Sequence, residues 1–441
     1  MDQSTATLED LTPVRKRLEV EVPAAAVQAE LDRTFHEVGR RARLRGFRPG
    51  KAPRPVLERA FGEEVRREVL GRLVEASFHR AVETHGLAVV GTPDIDAEPI
   101  TPGAALRYSA TVEVRPAIAL GDLGGLQVVR PATRVSDADV EQTIGGLRES
   151  VAQLRPVEDR ARVEAGDVVL VDLTSRLEGG EPVRREGVLL EAGSGSFPLA
   201  LERQLVGQSR GARLALRVPY PADHPNTGLA GKTAEFEVEV KELRVKELPP
   251  LDDDFARDHG KCESLAALRA RVRADLEQEA ATRADAAVRE ALIDQLLARH
   301  TFDVPSTLVE RRTEALLQTL DLRLPEGAER EQALARLREQ LRPRAERQVR
   351  TELLLDALAA RDGIAVNDDE LHAEVDGIAA RERQVVERVR AFYERPEARA
   401  ALRAKLVRDR ALAGVLAAAR VMPSSPAESV AHENQTRYNP R

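Results

Sequence analysis

The spacing of the apolar residues changes near residue 250, and this change constrains the fold more than any other feature of the sequence. Before it, apolar and polar residues alternate at 17–22, 105–114 and 233–243, a period of two that predicts half-buried strands. Beyond residue 251 the apolar residues recur every three or four positions, which predicts helices and no strands. We therefore expect a multidomain α+β protein with an all-α C-terminal region.

Composition and periodicity divide the chain further. Strand and helix patterns up to residue 115 predict a small α+β domain, and a segment rich in Pro and Gly with a capping signal at Ser136 predicts a connector. In the helical region we expect Pro305, Pro325 and Pro343 to break helices. The expected boundaries are 1–115 (α+β), 116–159 (connector), 160–247 (β-rich), 248–422 (helical) and 423–441 (a polar, disordered tail).

The net charge and the content of Cys, His and Gly exclude several functions. With 67 basic and 74 acidic residues, the 441-residue chain has a net charge of -7, so any anionic partner must be met by a local patch. Cys262, the only cysteine, excludes an intramolecular disulfide and a Cys-based zinc site, and it is typical of a reducing compartment. The eight histidines form no H-x-x-x-H pair, and no Gly-rich segment carries a phosphate-binding lysine. We therefore expect no metal and no cofactor.

The N-terminal segment MDQSTATLEDLTPVRKRLEV places acids before bases and contains no apolar core of a signal peptide. Elsewhere no apolar run approaches the roughly 18 residues that a transmembrane helix needs. We therefore expect a soluble, cytosolic protein that does not enter a membrane.

A strongly basic loop separates two predicted helices of the first domain. Between Arg40 and Arg59 the only acid is Glu58, and Phe47 is the only aromatic residue. Such a loop would suit a partner surface made of both RNA and protein, because the arginines would bind phosphate and the ring would fill an apolar notch. A charge run is also typical of a solvated turn, with Phe47 folded back into the core, and the residues alone leave both interpretations open. The cations are Arg40, Arg41, Arg43, Arg45, Arg48, Lys51, Arg54 and Arg59. The flanking helices carry apolar stripes of Val27, Leu31, Phe35 and Val38, and of Val65, Val69, Leu73 and Ala76.

The segment GFRPGKAP at 46–53 matches a known pattern. It resembles the ribosome-binding loop of the trigger factor family, bacterial ribosome-associated chaperones, whose pattern Gly-Phe-Arg-x-Gly-Lys-x-Pro has all six of its fixed positions here. FDVPSTLVE at 302–310 and LLLDALAARDGIAVNDDEL at 353–371 also resemble that family. The resemblance covers nearly the whole chain and implies three domains: an N-terminal α+β ribosome-binding domain, an FKBP-like β-rich middle domain, and an all-α C-terminal chaperone domain against which the connector packs.

By this resemblance the basic loop is the contact with the ribosome. It implies that Phe47, Arg48 and Lys51 touch the large subunit near the polypeptide exit tunnel, while Arg43 and Arg45 add phosphate contacts to ribosomal RNA. It also implies that the chain binds nascent unfolded polypeptides without ATP and without a membrane, and it leaves open a homodimer away from the ribosome. The implied ribosome-binding residues are Arg43, Arg45, Gly46, Phe47, Arg48, Pro49, Gly50 and Lys51.

The middle domain resembles the FKBP-type peptidyl-prolyl isomerases, which twist an X-Pro bond in a pocket walled by aromatic rings and need neither nucleophile nor metal. Leu173 and Leu201 stand where that family has aromatic residues, and His224 stands where a tyrosine is common. Two interpretations remain open: a working isomerase, and an inert domain that only binds clients and whose leucines are ordinary core. The implied pocket positions are Leu173, Phe197, Leu201, His224 and Phe236.

The Leu- and Ala-rich helices of the C-terminal region are expected to pack against one another and also to display aliphatic surface to clients. The sequence does not tell which leucines are buried. Two functions other than that of a chaperone are alternatives. A general nucleic-acid-binding protein would rest on the arginines of the loop alone, and the net charge of -7 disfavours it. A periplasmic chaperone would need a signal peptide.

Overall fold

The computed structural model describes residues 4–44, 47, 51–101, 103–194, 199–221, 228–320 and 327–424. The chain divides into two compact units, one formed by Ala132–Asp285 and the other by Met1–Pro131 together with Ala286–Arg441. The multidomain α+β architecture expected from the sequence is confirmed, with a β-rich middle part and a helical C-terminal region. Most of the tail that the sequence predicts to be disordered, 425–441, lies outside the described residues.

The described residues form strands and helices that are numbered in chain order. The strands are β1 (Thr5–Thr12), β2 (Arg15–Val22), β3 (Val89–Ala97), β4 (Leu106–Val114), β5 (Gln127–Arg130), β6 (Gln153–Pro156), β7 (Val168–Leu177), β8 (Val183–Glu191), β9 (Arg213–Pro219), β10 (Thr233–Glu247) and β11 (Arg420–Pro423). The helices are α1 (Ala24–Arg41), α2 (Arg54–Thr84), α3 (Asp137–Ser150), α4 (Leu199–Leu205), α5 (Asp253–Asp258), α6 (Leu265–Arg299), α7 (Ser306–Gln318), α8 (Ala328–Arg361), α9 (Asp368–Arg381), α10 (Val386–Tyr393) and α11 (Pro396–Ala418).

The N-terminal domain is an antiparallel sheet with strand order β1-β2-β4-β3, and two helices pack on it. In β4 every second residue from Leu106 to Val114 is buried, as the alternation predicts. The sequence pattern does not reveal β1, because this edge strand pairs on one side only and most of its residues are exposed.

Helices α1 and α2 bury the stripes predicted for them, with one correction. Ala76 is exposed, and Ser77 and Phe78 occupy the buried face of α2 instead. A polar residue is tolerated there because the Ser77 hydroxyl pairs with the Tyr108 hydroxyl at 2.8 Å and donates to the carbonyl of Leu73. The confirmed buried residues of the stripes are Val27, Leu31, Phe35, Val65, Val69 and Leu73.

Strands β5 and β11 pair in parallel and join the connector to the end of the helical region. The expectation that strands are absent beyond residue 251 is therefore wrong at β11, since a strand of four residues is too short to show an alternation. Leu126 and Val128, beside and within β5, are buried in one core with Leu292 of α6. The first part of the connector thus packs on C-terminal helices.

The prolines of the helical region behave differently from one another. Pro305 directly precedes α7, as predicted, whereas Pro343 lies inside α8, so the expected break there is wrong. Pro343 is exposed, and the carbonyl that loses its amide partner can therefore bond to water. Pro325 lies outside the described residues. Helix α9 begins with a capping box in which Asn367 accepts from the amide of Glu370.

The unit Ala132–Asp285 contains a five-stranded sheet with strand order β6-β10-β7-β8, and β9 pairs with β10. The capping signal at Ser136 is confirmed as the start of α3. Helix α3 packs through Ile144 against Phe255 of α5 and Leu268 of α6. The long strand β10 is therefore the centre of the β-rich part, because three other strands pair with it.

Within the other unit, Glu113 of β4 holds the first turn of α7. Its carboxylate accepts from the Ser306 hydroxyl at 2.6 Å and from the Thr307 amide at 2.8 Å. Gly91 of β3, with φ +81, lies so close that a Cβ there would clash with Thr307. Partial burial by itself would raise the pKa of Glu113, but the donors from Ser306 and Thr307 outweigh it and lower that pKa.

Replacing Glu113 with Ala should weaken the first turn of α7 by about 1 kcal/mol at neutral pH, because the amide and hydroxyl lose their acceptor. Since the pKa of Glu113 is lower in the folded chain than in the unfolded chain, its contribution is complete above the unfolded pKa and is lost as the pH falls through the folded pKa. Amide hydrogen exchange of α7, compared between wild type and variant from neutral pH to about pH 3, measures this.

The matched control is Glu310→Ala, which removes an exposed carboxylate from the same helix and should leave exchange unchanged. A difference between wild type and Glu113→Ala that persists undiminished at acid pH would contradict the role given to the carboxylate.

Candidate functional site

The basic loop connects the end of α1 to the start of α2. Arg43, Phe47 and Lys51 are exposed, and Phe47 keeps 40% of its surface accessible. Aromatic rings and arginines are enriched at the centres of protein interfaces, so an exposed ring beside cations is a candidate contact with a partner. The other residues implied by the resemblance lie outside the described residues: Arg45, Gly46, Arg48, Pro49 and Gly50.

Apolar anchors hold the chain on both sides of Phe47. Leu44 and Ala52 are partly buried against the core of the N-terminal domain. The amide of Phe47 donates to the carbonyl of Leu44 at 3.1 Å, which is a local turn. Phe47 itself does not belong to that core, so the interpretation in which its ring folds back into the domain does not describe the structure.

The cations around the loop fall into two groups. Among the described residues, no carboxylate lies within ion-pair distance of Arg40, Arg43, Lys51 or Arg59. Arg54 differs, because its guanidinium pairs with carboxylates of both flanking helices. The first group can therefore take up an anionic partner without breaking an existing pair, and guanidinium or ammonium groups of this kind bind phosphate.

Three of the predicted pocket positions of the middle domain lie together in one core. Leu173 of β7, Leu201 of α4 and Phe236 of β10 are 4%, 0% and 8% exposed. Leu173 lies opposite Val238 in the sheet register, so it points to the same face as Phe236, two residues away on β10. Phe197 and His224 lie outside the described residues. The sheet thus brings Leu173 and Phe236 to the same face, as the resemblance implies.

Tyr220 is a candidate pocket residue that the sequence reasoning missed. It directly follows β9 and is partly buried against the same core as Phe236. Burial raises the pKa of the Tyr220 phenol, so its hydroxyl stays protonated and can donate a hydrogen bond at neutral pH. The signal was present, since an aromatic residue at the end of an alternating strand lies near the domain core.

Two buried acids of the middle domain have different surroundings. Asp167 forms a two-bond pair with the guanidinium of Arg160, at 2.5 and 2.6 Å, and accepts from the amide of Glu164. Burial would raise the pKa of Asp167, but these donors lower it. Glu202 of α4, which follows Leu201, is fully buried and accepts from the Ser194 hydroxyl. Asp167 is therefore held as a structural ion pair, whereas Glu202 lies beside a predicted pocket position.

The helical region displays apolar side chains at the two ends of α10. Val385 is 66% exposed and Phe392 is 50% exposed. Val385 has an extended backbone and directly precedes the first residue of α10, and Phe392 lies in the last turn of this helix. The Phe392 ring meets the Tyr393 ring edge to face, with centroids 5.1 Å apart, and the Arg395 guanidinium lies 5.5 Å from its centroid. We call Val385 and Phe392 the α10 face.

Among the described residues, no three or more His, Cys, Asp or Glu side chains are grouped so that they could hold a metal ion. None of the helices in the described part of the chain is long and apolar enough to cross a membrane.

Three parts of the chain, its two ends and its middle, match known protein families. The family profile described as "Bacterial trigger factor protein (TF)" matches residues 4–147, and that of its C-terminus matches 264–417. The profile "FKBP-type peptidyl-prolyl cis-trans isomerase" matches 159–241, which does not favour the alternative of an inert, isomerase-like domain that only binds clients.

Whole proteins agree with these profiles. Trigger factor from Anaeromyxobacter sp. (strain Fw109-5) is 38% identical over 426 residues, which are 95% of this chain and 99% of the relative. Trigger factor from Geobacter sp. (strain M21) is 35% identical over 433 residues, 96% of this chain and 99% of the relative. A solved trigger factor chain aligns to 93% of this chain and 99% of its own length, with 22% identity and a TM-score of 0.49. The chain therefore belongs to the trigger factor family of ribosome-associated chaperones with an FKBP-type domain.

Proposed function

We propose that the chain docks on the large ribosomal subunit, near the exit of the polypeptide tunnel, through the loop that carries Phe47. The single observation that carries this proposal is the exposed Phe47 ring between two partly buried anchors, Leu44 and Ala52. Burying such a ring contributes about 1.5–3 kcal/mol, and the neighbouring cations Arg43 and Lys51 supply contacts to ribosomal RNA phosphates. Arg45, Gly46, Arg48, Pro49 and Gly50 complete the proposed contact set by family resemblance.

At the ribosome the chain would meet nascent polypeptides, and we assign the α10 face as one surface that holds them. An exposed aliphatic side chain and an exposed ring at the two ends of one short helix bind apolar segments of many sequences, because such contacts need no fixed partner geometry. Binding and release then follow from weak affinity and need no ATP. The cytoplasm is the compartment in which these partners occur.

The middle domain is proposed to isomerise X-Pro bonds. Rotation about such a bond passes through a twisted amide that is less polar than the planar one, so a dry aromatic wall lowers the barrier without a nucleophile. Phe236 and Tyr220 provide rings at the core, and Phe197 is a third by resemblance. Leu173 and Leu201 replace two family aromatics, so we expect activity below that of a full aromatic pocket.

We propose the following limits for the functional parts of the chain. Residues 1–115 bind the ribosome, 160–247 form the isomerase domain and 248–422 bind clients. Residues 116–159 connect them. A homodimer away from the ribosome is compatible with these roles, and sedimentation of the isolated chain would detect it.

Replacing Phe47 with Ala should weaken ribosome binding at least tenfold, or about 1.4 kcal/mol, because most of the ring burial is lost. Co-sedimentation of the full chain with ribosomes measures the affinity. The matched control is Phe392→Ala, which removes another exposed ring, 50% accessible, from the helical region.

Ribosome binding should be unaffected by Phe392→Ala. Wild-type affinity in Phe47→Ala would refute the docking proposal, and equally tight binding of the wild type to naked RNA would favour a nucleic-acid-binding protein instead.

Replacing Phe236 with Leu should lower kcat/KM for a prolyl peptide about tenfold, because the wall loses a ring while the core keeps most of its volume. A protease-coupled assay on the full chain measures the rate. Val245→Ala, at a 40% exposed position on the same strand, is the control and should keep the wild-type rate. A wild-type rate no higher than that in buffer would reject the isomerase proposal.

Replacing both residues of the α10 face, Val385→Ser with Phe392→Ser, should raise severalfold the amount of chain needed to suppress aggregation of an unfolded client, because its apolar contact is removed. Light scattering of the client measures this. Val183→Ser, at a 51% exposed position of β8, is the control for apolar surface elsewhere. Equal losses in both variants would mean that the α10 face has no special part in client binding.

A further inference from the structure

Arg54 is the first residue of α2 and directly follows the docking loop. Its guanidinium carbon lies 3.7 Å from the centroid of the Phe35 ring on α1. Its Nε donates to Glu58 Oε1 at 2.6 Å, and a terminal nitrogen lies 3.3 Å from Asp32 Oδ1. Arg54 therefore contacts a ring and a carboxylate of α1, as well as a carboxylate of its own helix.

The two helices are also close together at this level. A Cβ at Gly39 of α1 would lie only 3.0 Å from the Leu57 side chain of α2. Twelve residues connect Arg41 to Arg54, so the packing of the two helices sets the distance that the loop spans. A contact that fixes the helix ends before binding also fixes the partly buried anchors Leu44 and Ala52, between which Phe47 is presented to a partner.

We propose that Arg54 is a positioning residue that clasps α1 to α2 at the base of the loop and is not a phosphate contact, although it belongs to the same basic run as Arg43 and Lys51. The inference rests on the proposed docking function. Asp32 and Glu58 neutralise the guanidinium and would repel a phosphate brought to it. One face of its plane is covered by Phe35, which is 3% exposed.

The contrast with Lys51 makes this inference testable. Lys51 is exposed and, among the described residues, has no carboxylate partner. A cation that neutralises a phosphate releases counterions, so its loss makes the dependence of affinity on salt shallower, by about 0.7–0.9 in the slope of log K against log salt. A positioning residue lowers the affinity at every salt concentration and leaves that slope unchanged.

The experiment measures ribosome affinity of the full chain between about 50 and 200 mM salt for Arg54→Gln, Arg54→Lys and Lys51→Ala. We expect both Arg54 variants to bind about fivefold more weakly with the wild-type slope, because an ammonium keeps the charge but cannot reproduce the planar stack and the paired donors. Lys51→Ala should reduce the slope. Circular dichroism at the assay temperature verifies that each variant remains folded.

Phe47→Ala in the same series separates the two proposals. If Phe47→Ala binds like wild type, the docking proposal itself fails. If Phe47→Ala is weak but Arg54→Gln binds like wild type, or Arg54→Lys restores wild-type affinity, only the clasp is overturned. A slope for Arg54→Gln as shallow as that of Lys51→Ala would make Arg54 a phosphate contact and would overturn it as well.

Discussion

The packing of α1 and α2 on one face of the N-terminal sheet is the contact on which the proposed ribosome-binding loop depends. Every second residue of β4 is buried, so the sheet has one buried face, and both helices must pack on that face. Their connection is then forced to leave the core near Leu44 and return near Ala52. The helices therefore determine where both ends of the loop lie.

The charge of the chain constrains the proposed docking as well. A chain with a net charge of -7 is repelled from nucleic acid at long range, so the proposed docking depends on cations that lie close to the contact and are not already paired. The pairing of Arg54 with Asp32 and Glu58 removes one cation from that set and uses it to join two helices. Neighbouring cations in the sequence can thus differ in role, since some remain unpaired and others form ion pairs that join helices.

Elements with a complete buried face could be predicted from the sequence, and those without one could not. The alternation in β4 and β10 and the capping boxes at Ser136 and Asn367 are local signals with a direct physical cause. Edge strand β1 and the short β11 carry no such alternation, and Pro343 is tolerated because it faces water. The missed features depend on tertiary surroundings.

The candidate sites differ in the same way, since one could be recognised from a local sequence pattern and the other could not. The proposed docking loop could be recognised because its pattern of Gly, Phe and cations is local, and its exposure shows that Phe47 is not a core residue. A prolyl isomerase pocket has no local chemistry to recognise, since it needs only rings that face one another across a fold. The alternation of β9 indicates only that Tyr220 lies near the core and not that it belongs to a pocket, and Leu173 could be placed in the pocket only by resemblance. Whether two rings suffice where the family uses more is a question of how dry and how rigid the wall is, because water readmitted beside Leu173 or Leu201 would restore the solvation of the planar amide and with it the barrier.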